Sequence, residues 1–159
     1  MATDALTIQP IDETNLDAVV ALTVAPGQAR FIETNAESLR EMDVDVKYAW
    51  TCYALCRDNQ PVGFMMVGAE NKVERYVWLD RFMIDMDEQG KGIGSTFLQL
   101  AIEWMQERFD VDDLILSLHP TNEPAKRFYA KGGFEDSGLI DEANGEEIWV
   151  YHVKQGQPS

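Results

Sequence analysis

Gln89-Gly90-Lys91-Gly92-Ile93-Gly94 lies between two runs of different hydrophobic period, and its reading decides the fold. Before it, RYVWLDRFMID (75–85) predicts a long strand. Strict alternation places Trp78, Asp80, Phe82 and Ile84 on one face and Val77, Leu79, Arg81 and Met83 on the other. After it, Ile93, Phe97, Ala101, Met105 and Phe109 recur every four residues, with Leu98 and Ile102 broadening the stripe, which predicts a helix over 92–109. A glycine turn from strand to helix lets the backbone approach a bound group closely, and its N–H groups and the helix dipole favour phosphate. Two phosphate-binding patterns do not fit. A P-loop needs Ser or Thr after its lysine, but Lys91 is followed by Gly92; a dinucleotide fingerprint needs a third glycine where Ser95 stands. Asp112 and Asp113, about twenty positions on, open a strand instead of closing one.

Outward from this turn, the elements alternate without an internal repeat or a low-complexity linker. Leu6, Ile8 and Ile11 mark a short first strand ended by Pro10, and Asp12-Glu13-Thr14-Asn15 supplies helix-start residues for Leu16 to Leu22. Pro26-Gly27 breaks that helix. A second helix is expected from Gln28 to Met42, carrying Phe31, Ile32, Ala36 and Leu39, with Glu33, Glu37 and Glu41 sharing one face. WTCYALC and VGFMMVG, joined by Asp58-Asn59-Gln60-Pro61, form a β-hairpin. Beyond the long helix, LILSL is a short buried strand and Thr121-Asn122-Glu123-Pro124 starts a helix that runs to Gly132-Gly133. Two closing strands flank Asn144-Gly145. The expected order is β-α-α-β-β-β-α-β-α-β-β.

At 159 residues, 45% of them hydrophobic, the chain suits one domain over 1–159 whose core needs neither disulfides nor a structural metal. Cys52 and Cys56 lie four apart on a strand, roughly 13 Å between Cα atoms, beyond the reach of a disulfide. The two cysteines, His119 and His152 form no metal-ligand spacing. Thirteen basic residues against 28 acidic ones give a formal charge of −15. A nucleic-acid backbone or an anionic membrane is thereby excluded as the main partner, since both need clustered positive charge. The acidic surplus fits a solvated surface, a saline habitat or a field that draws in cations. No apolar run approaches a membrane span, and Met1-Ala2-Thr3-Asp4 lacks the basic and apolar regions of a targeting signal. A soluble, reduced, cytoplasmic protein is expected.

Gln89-x-x-Gly92-x-Gly94 directly after an apolar strand resembles the pyrophosphate-binding motif of the GNAT superfamily, the acyl-CoA-dependent N-acyltransferases, with Gln where many members carry Arg. The order of elements resembles that family's over nearly the whole chain, and Asn122 followed seven residues later by Tyr129 is similar to its second cofactor-side motif. Within the family, Phe31-Ile32-Glu33, V-W-L-D-R-F at 77–82, Ile84-Asp85, Q-G-K-G at 89–92 and R-F-Y at 127–129 resemble the bacterial spermine/spermidine (diamine) N-acetyltransferases. The resemblance implies an α/β (α+β) GNAT fold, a single mixed and mostly antiparallel sheet of about seven strands flanked by about four helices.

It also implies acetyl-CoA as cosubstrate, a polyamine as acceptor, direct transfer in a ternary complex and no metal. Phe82, Met83 and Ile84 would border the pantetheine, the backbone of Met83 and Ile84 pairing with it like an added strand at a place where the family's central strands splay apart, and the Met83 N–H polarising the thioester carbonyl. Gln89, Gly90, Lys91, Gly92, Ile93, Gly94 and Ser95 would cradle the pyrophosphate, with Lys91, Lys126 and Arg127 as nearby positive charges. Asn122 would hydrogen-bond the pantetheine, and Tyr129 would be the general acid toward the sulfur, its phenol staying protonated at neutral pH. Asp80, facing the acetyl site if alternation holds, would accept the amine proton through water or anchor the cation; a salt bridge to an adjacent basic residue is the alternative. Glu33 and then Glu37 are the further acceptor-side candidates. His119, at a strand end, reads more readily as structural than as catalytic. Other amines (a protein N-terminus, an aminoglycoside, an amino acid) and a non-catalytic CoA-binding module stand as alternatives. Dimers are common in the family, which leaves a homodimer open.

Overall fold

The computed structural model describes residues 6–22, 50–86 and 92–153. They form β1 (Leu6–Pro10), α1 (Leu16–Ala21), β2 (Thr51–Arg57), β3 (Gln60–Asn71), β4 (Tyr76–Ile84), α2 (Ile93–Arg108), β5 (Asp113–Leu118), α3 (Glu123–Lys131), β6 (Glu135–Ile140) and β7 (Glu147–His152). Their succession follows the order expected from the sequence for every element within the described residues. The helix expected from Gln28 to Met42, with Glu33 and Glu37, and the turn residues Gln89, Gly90 and Lys91 lie outside the described residues.

The seven strands make one sheet in the order β1-β2-β3-β4-β5-β7-β6. Every neighbouring pair is antiparallel except β4 and β5. That parallel pairing spans only Tyr76↔Asp113, Val77↔Leu114 and Trp78↔Ile115, although β4 runs on to Ile84 and β5 to Leu118. Past Trp78 the two strands part, and a wedge opens in the middle of the sheet.

The closed end of the wedge is held at Arg75, before β4. Its carbonyl accepts the N–H groups of Asp112 and Asp113 at 2.8 and 3.2 Å. Its guanidinium meets Asp110 at 3.0 Å and Asp112 at 3.1 Å. The hydrogen bond and charge of Arg75 hold the Asp110 carboxyl below the usual aspartate range. A carboxyl depressed on folding stabilises the fold above its unfolded pKa, about 4, and loses that contribution as pH falls through its lower folded value. Arg75→Gln is therefore expected to lower the melting temperature by a few degrees at most near neutral pH, since the pair is exposed. The gap between variant and wild type should narrow below about pH 3. A gap that is constant from pH 7 to pH 2 would assign the loss to the lost packing of the side chain.

Two cores flank the sheet. On one face, α2 buries Phe97, Leu98, Ala101, Ile102 and Met105, the four-residue stripe read from the sequence, against Val77, Leu79, Leu114 and Leu116. Tyr129, Phe134 and Trp149 extend this core under α3. On the other face, Val19 of α1 covers Cys52, Ala54, Cys56, Phe64, Met66 and Met83. Both cysteines are buried here and neither is in a disulfide, and burial raises the Cys56 thiol, which disfavours the reactive thiolate. Among the described residues, no helix is long and apolar enough to cross a membrane.

Candidate active site

The open end of the wedge is shaped by a break in the strand alternation. Register runs from Met66↔Asp80 to Phe64↔Met83, so two residues of β4, Arg81 and Phe82, stand opposite Met65 alone. Arg81 has φ +53°, the left-handed region that disfavours a branched or long side chain. The extra residue is a β-bulge, and it reverses the facing of everything beyond it. Phe82 and Ile84 consequently join Val77 and Leu79 on the α2–α3 side, while Met83 packs with Phe64 and Met66 on the other. The expectation that Trp78, Asp80, Phe82 and Ile84 share one face is thus corrected, because alternation does not pass through the bulge. Asp80 lies beside Met66 in register, with Arg81 Nε 3.9 Å from its Oδ2, a long contact with the adjacent base.

The backbone of the last β4 residues faces two ways. Asp85 N–H donates to Val62 O at 2.8 Å. Amide groups two apart in a strand point the same way, so the Met83 N–H is turned toward β3, and the N–H and C=O of Ile84 toward the wedge. The resemblance assigned the polarising N–H to Met83; in this strand the N–H turned to the wedge is that of Ile84.

Across the wedge, α2 begins at Gly92, whose φ of +81° a residue with a Cβ adopts only under strain. Gly92 offers no side chain to cap this end, and the first turn carries no acid. The dipole of such a helix start favours an anion, in keeping with the phosphate role read from the glycine turn. Gly94 lies against the walls of the site: a Cβ there would come 3.4 Å from Phe128 and 3.7 Å from Ile84. Ser95 is exposed and Ile93 half-buried against the core.

The third wall is α3. Asn122 Oδ1 accepts the Ala125 N–H at 3.3 Å as an N-cap, which leaves its amide nitrogen as the group able to donate to a ligand. Tyr129, only 8% exposed, sits among the rings of Phe82, Phe128 and Phe134, with centroids 6.4, 5.1 and 5.7 Å away. Burial first, and then the negative charge of Asp80, push its phenol above the ordinary tyrosine value. The phenol is a proton donor at any physiological pH, and Asp80 lies within its electrostatic reach despite the bulge. At the end of β5, the His119 Nδ1 lies 2.9 Å from Thr121 Oγ1 and 3.3 Å from the Thr121 N–H, shaping the turn before Asn122.

Lys126 departs from expectation. Its ammonium is held by Glu147 at 3.2 Å and Glu123 at 3.4 Å, and is not offered to a phosphate. Sequence reasoning missed this pair and the bulge. For the bulge there was a signal, since Asp80-Arg81 interrupts an apolar strand; the Lys126–Glu147 pair spans 21 residues and left none.

The described residues therefore bring together β4 from Phe82 to Ile84, the start of α2, and Asn122 and Tyr129 of α3, with Asp80 at their edge. Among them, no group of three or more His, Cys, Asp or Glu residues could hold a metal. The profile of the Acetyltransferase (GNAT) family matches residues 19–134. The spermine/spermidine N(1)-acetyltransferase of Bacillus subtilis (strain 168) is 32% identical over 152 residues, covering 92% of this chain and 97% of that protein. In structure, the chain resembles spermidine N-acetyltransferase from Vibrio cholerae, solved in complex with CoA and spermine, with a TM-score of 0.71 at 16% identity over 93% of this chain and 94% of that one. It also resembles AAC(6')-Ib, solved with paromomycin and acetyl-CoA, with a TM-score of 0.77 at 18% identity over 98% and 99% of the two chains. At these identities the structural likeness speaks for the fold.

Proposed function

The chain belongs to the acetyltransferase (GNAT) family, and from that premise we propose that it transfers the acetyl group of acetyl-CoA to a primary amine of spermine or spermidine. The observation that carries this reading is the 32% identity, over nearly the full length of both chains, to a spermine/spermidine N(1)-acetyltransferase. Its −15 charge agrees with a cationic acceptor, because a negative field raises the local concentration of polyamine.

The residues divide the work as follows. The donor lies in the wedge, with its pantetheine along Ile84 and toward Asn122, and its pyrophosphate at the start of α2. The glycine turn from Gln89 to Lys91 completes that cradle. The amine reaches the site protonated and must lose a proton before its lone pair attacks the thioester carbonyl. Asp80 holds the cation and takes that proton, directly or through water. The new C–N bond forms, the C–S bond breaks, and the thiolate takes the Tyr129 phenolic proton; the second proton shed by the nitrogen as it becomes an amide restores the phenol, and the proton on Asp80 leaves to solvent. Protonation of Asp80 removes the negative charge that opposes Tyr129 ionisation, so accepting the amine proton readies the acid for its own step. Glu33 and Glu37 are further anchors for a polyamine whose ammonium groups are spaced along its chain.

An acceptor screen tests the reading: acetyl-CoA with spermine, spermidine, putrescine, paromomycin and an amino acid, following thiol release. Turnover is expected with the polyamines. Turnover of paromomycin alone would favour the aminoglycoside reading. Asp80→Asn is expected to raise KM for spermidine about tenfold, the loss of one charge-assisted contact, with KM for acetyl-CoA unchanged. An unaltered spermidine KM would remove Asp80 from the acceptor site.

A further inference from the structure

A lysine whose side chain is only 19% exposed is costly unless its charge is matched, and Lys126 is matched on two sides. Glu123, one turn back on α3, contributes one oxygen at 3.4 Å and is itself exposed. Glu147, equally buried at 19%, contributes Oε1 at 3.2 Å and Oε2 at 3.3 Å from β7. Glu147 is in turn fixed by Trp149 Nε1, which donates to the same Oε1 at 3.3 Å. Glu147 and Trp149 share the β7 face turned toward α3, and Glu147 pairs in register with Leu118, at the end of β5 where the wedge is open. Burial opposes the charge of Lys126, but the bonds to Glu147 and Glu123 outweigh it and hold the ammonium charged above the ordinary lysine range. Among the described residues, this is the one polar tie from an α3 side chain to the sheet. Tyr129 lies three residues on, about one helical turn along the same side.

We infer that the Lys126–Glu147–Trp149 clamp fixes the rotation of α3 on the sheet, and that Lys126 is thereby a positioning residue for the Tyr129 phenol, not a phosphate ligand. The aromatic contacts of Phe128 and Tyr129 set how deeply α3 is buried, but rings slide and tilt at small cost. A hydrogen-bonded ion pair with two fixed carboxylate oxygens has a narrower optimum. It sets the angular position of the helix and so the direction in which Tyr129 presents its hydroxyl. This rests on Tyr129 being the general acid.

The test is a double-mutant cycle on the full chain with acetyl-CoA and spermidine: wild type, Lys126→Met, Tyr129→Phe and the double variant. Lys126→Met keeps the apolar stem and removes the charge. It is expected to lower kcat about tenfold, the cost of a small misplacement of a catalytic group, and to leave KM for acetyl-CoA within about twofold. On the Tyr129→Phe background the same substitution should change kcat by less than about twofold, since the group it positions is gone. Lys126→Arg should restore most of kcat. Glu147→Gln breaks the clamp from the other side and should repeat the pattern if Lys126→Met folds poorly. A full loss repeated on the Phe background overturns the positioning role while leaving Tyr129 as the acid. A raised KM for acetyl-CoA at unchanged kcat overturns it too and returns Lys126 to the phosphates. Wild-type kcat in Tyr129→Phe alone removes the acid itself, and the clamp's purpose with it.

Discussion

Tyr129→Phe is expected to lower kcat by about a hundredfold, with KM for acetyl-CoA and for polyamine each within about twofold of wild type. The substitution removes one oxygen from a side chain that is 8% exposed and keeps the ring that packs on Phe82, Phe128 and Phe134, so binding surfaces and core persist. What is lost is the proton for the departing thiolate, an interaction made as the C–S bond breaks. Such a loss falls on kcat and leaves ground-state binding alone. The pH profile gives a second, independent reading. Burial and then Asp80 raise the phenol above its ordinary value of about 10. An acid must be protonated to act, and a raised pKa keeps it so for longer as pH climbs. The wild-type kcat should therefore show no Tyr129-dependent fall between pH 8 and about pH 10. A fall with a midpoint near 8 that disappears in the Phe variant would mean that the phenol works as a base or that its surroundings are far more polar than the ring cluster allows.

Much of this site was legible because its signals are local. The four-residue stripe from Phe97 to Met105 and the Asn122 cap each follow from neighbours in sequence, and the structure forms both. The bulge at Arg81 was not legible in its consequence. Alternation assigns faces only while each residue of β4 opposes one of β3, and the register between Phe64 and Met66 breaks that condition. Asp80 therefore changed face relative to Phe82 and Ile84, and the backbone N–H turned to the wedge is that of Ile84. The parting of β4 from β5 was accessible through family likeness, not through composition, since nothing within Asp113–Leu118 marks where parallel pairing stops. The Lys126–Glu147 pair was illegible for a third reason: it joins α3 to β7, and sequence spacing carries no record of a contact made by packing.

Gly63→Val is the other change expected to have a large effect, and it acts from behind the site. Gly63 pairs in register with Ile84, and a Cβ on it would lie 2.6 Å from the Met83 carbonyl oxygen, 3.0 Å from Ile84 Cδ1 and 3.1 Å from Leu55 Cδ1. The side-chain ends can turn aside, but the carbonyl belongs to the backbone of β4 and can move only with the strand. Inserting a branched side chain there is expected to cost about 2–3 kcal/mol of stability, read as a lower melting temperature or denaturant midpoint. The strand it displaces is the one whose Ile84 N–H and C=O face the wedge, so KM for acetyl-CoA should rise about tenfold while KM for spermidine changes less. Val62→Ala separates the two effects. It removes buried atoms one residue away in the same strand, so it should also destabilise, but it leaves a cavity and does not push β4. If Gly63→Val raises the donor KM and Val62→Ala does not, the end of β4 is the donor's edge. If both destabilise and neither moves that KM, the donor does not lie along Ile84, and the wedge between β4 and β5 holds something else.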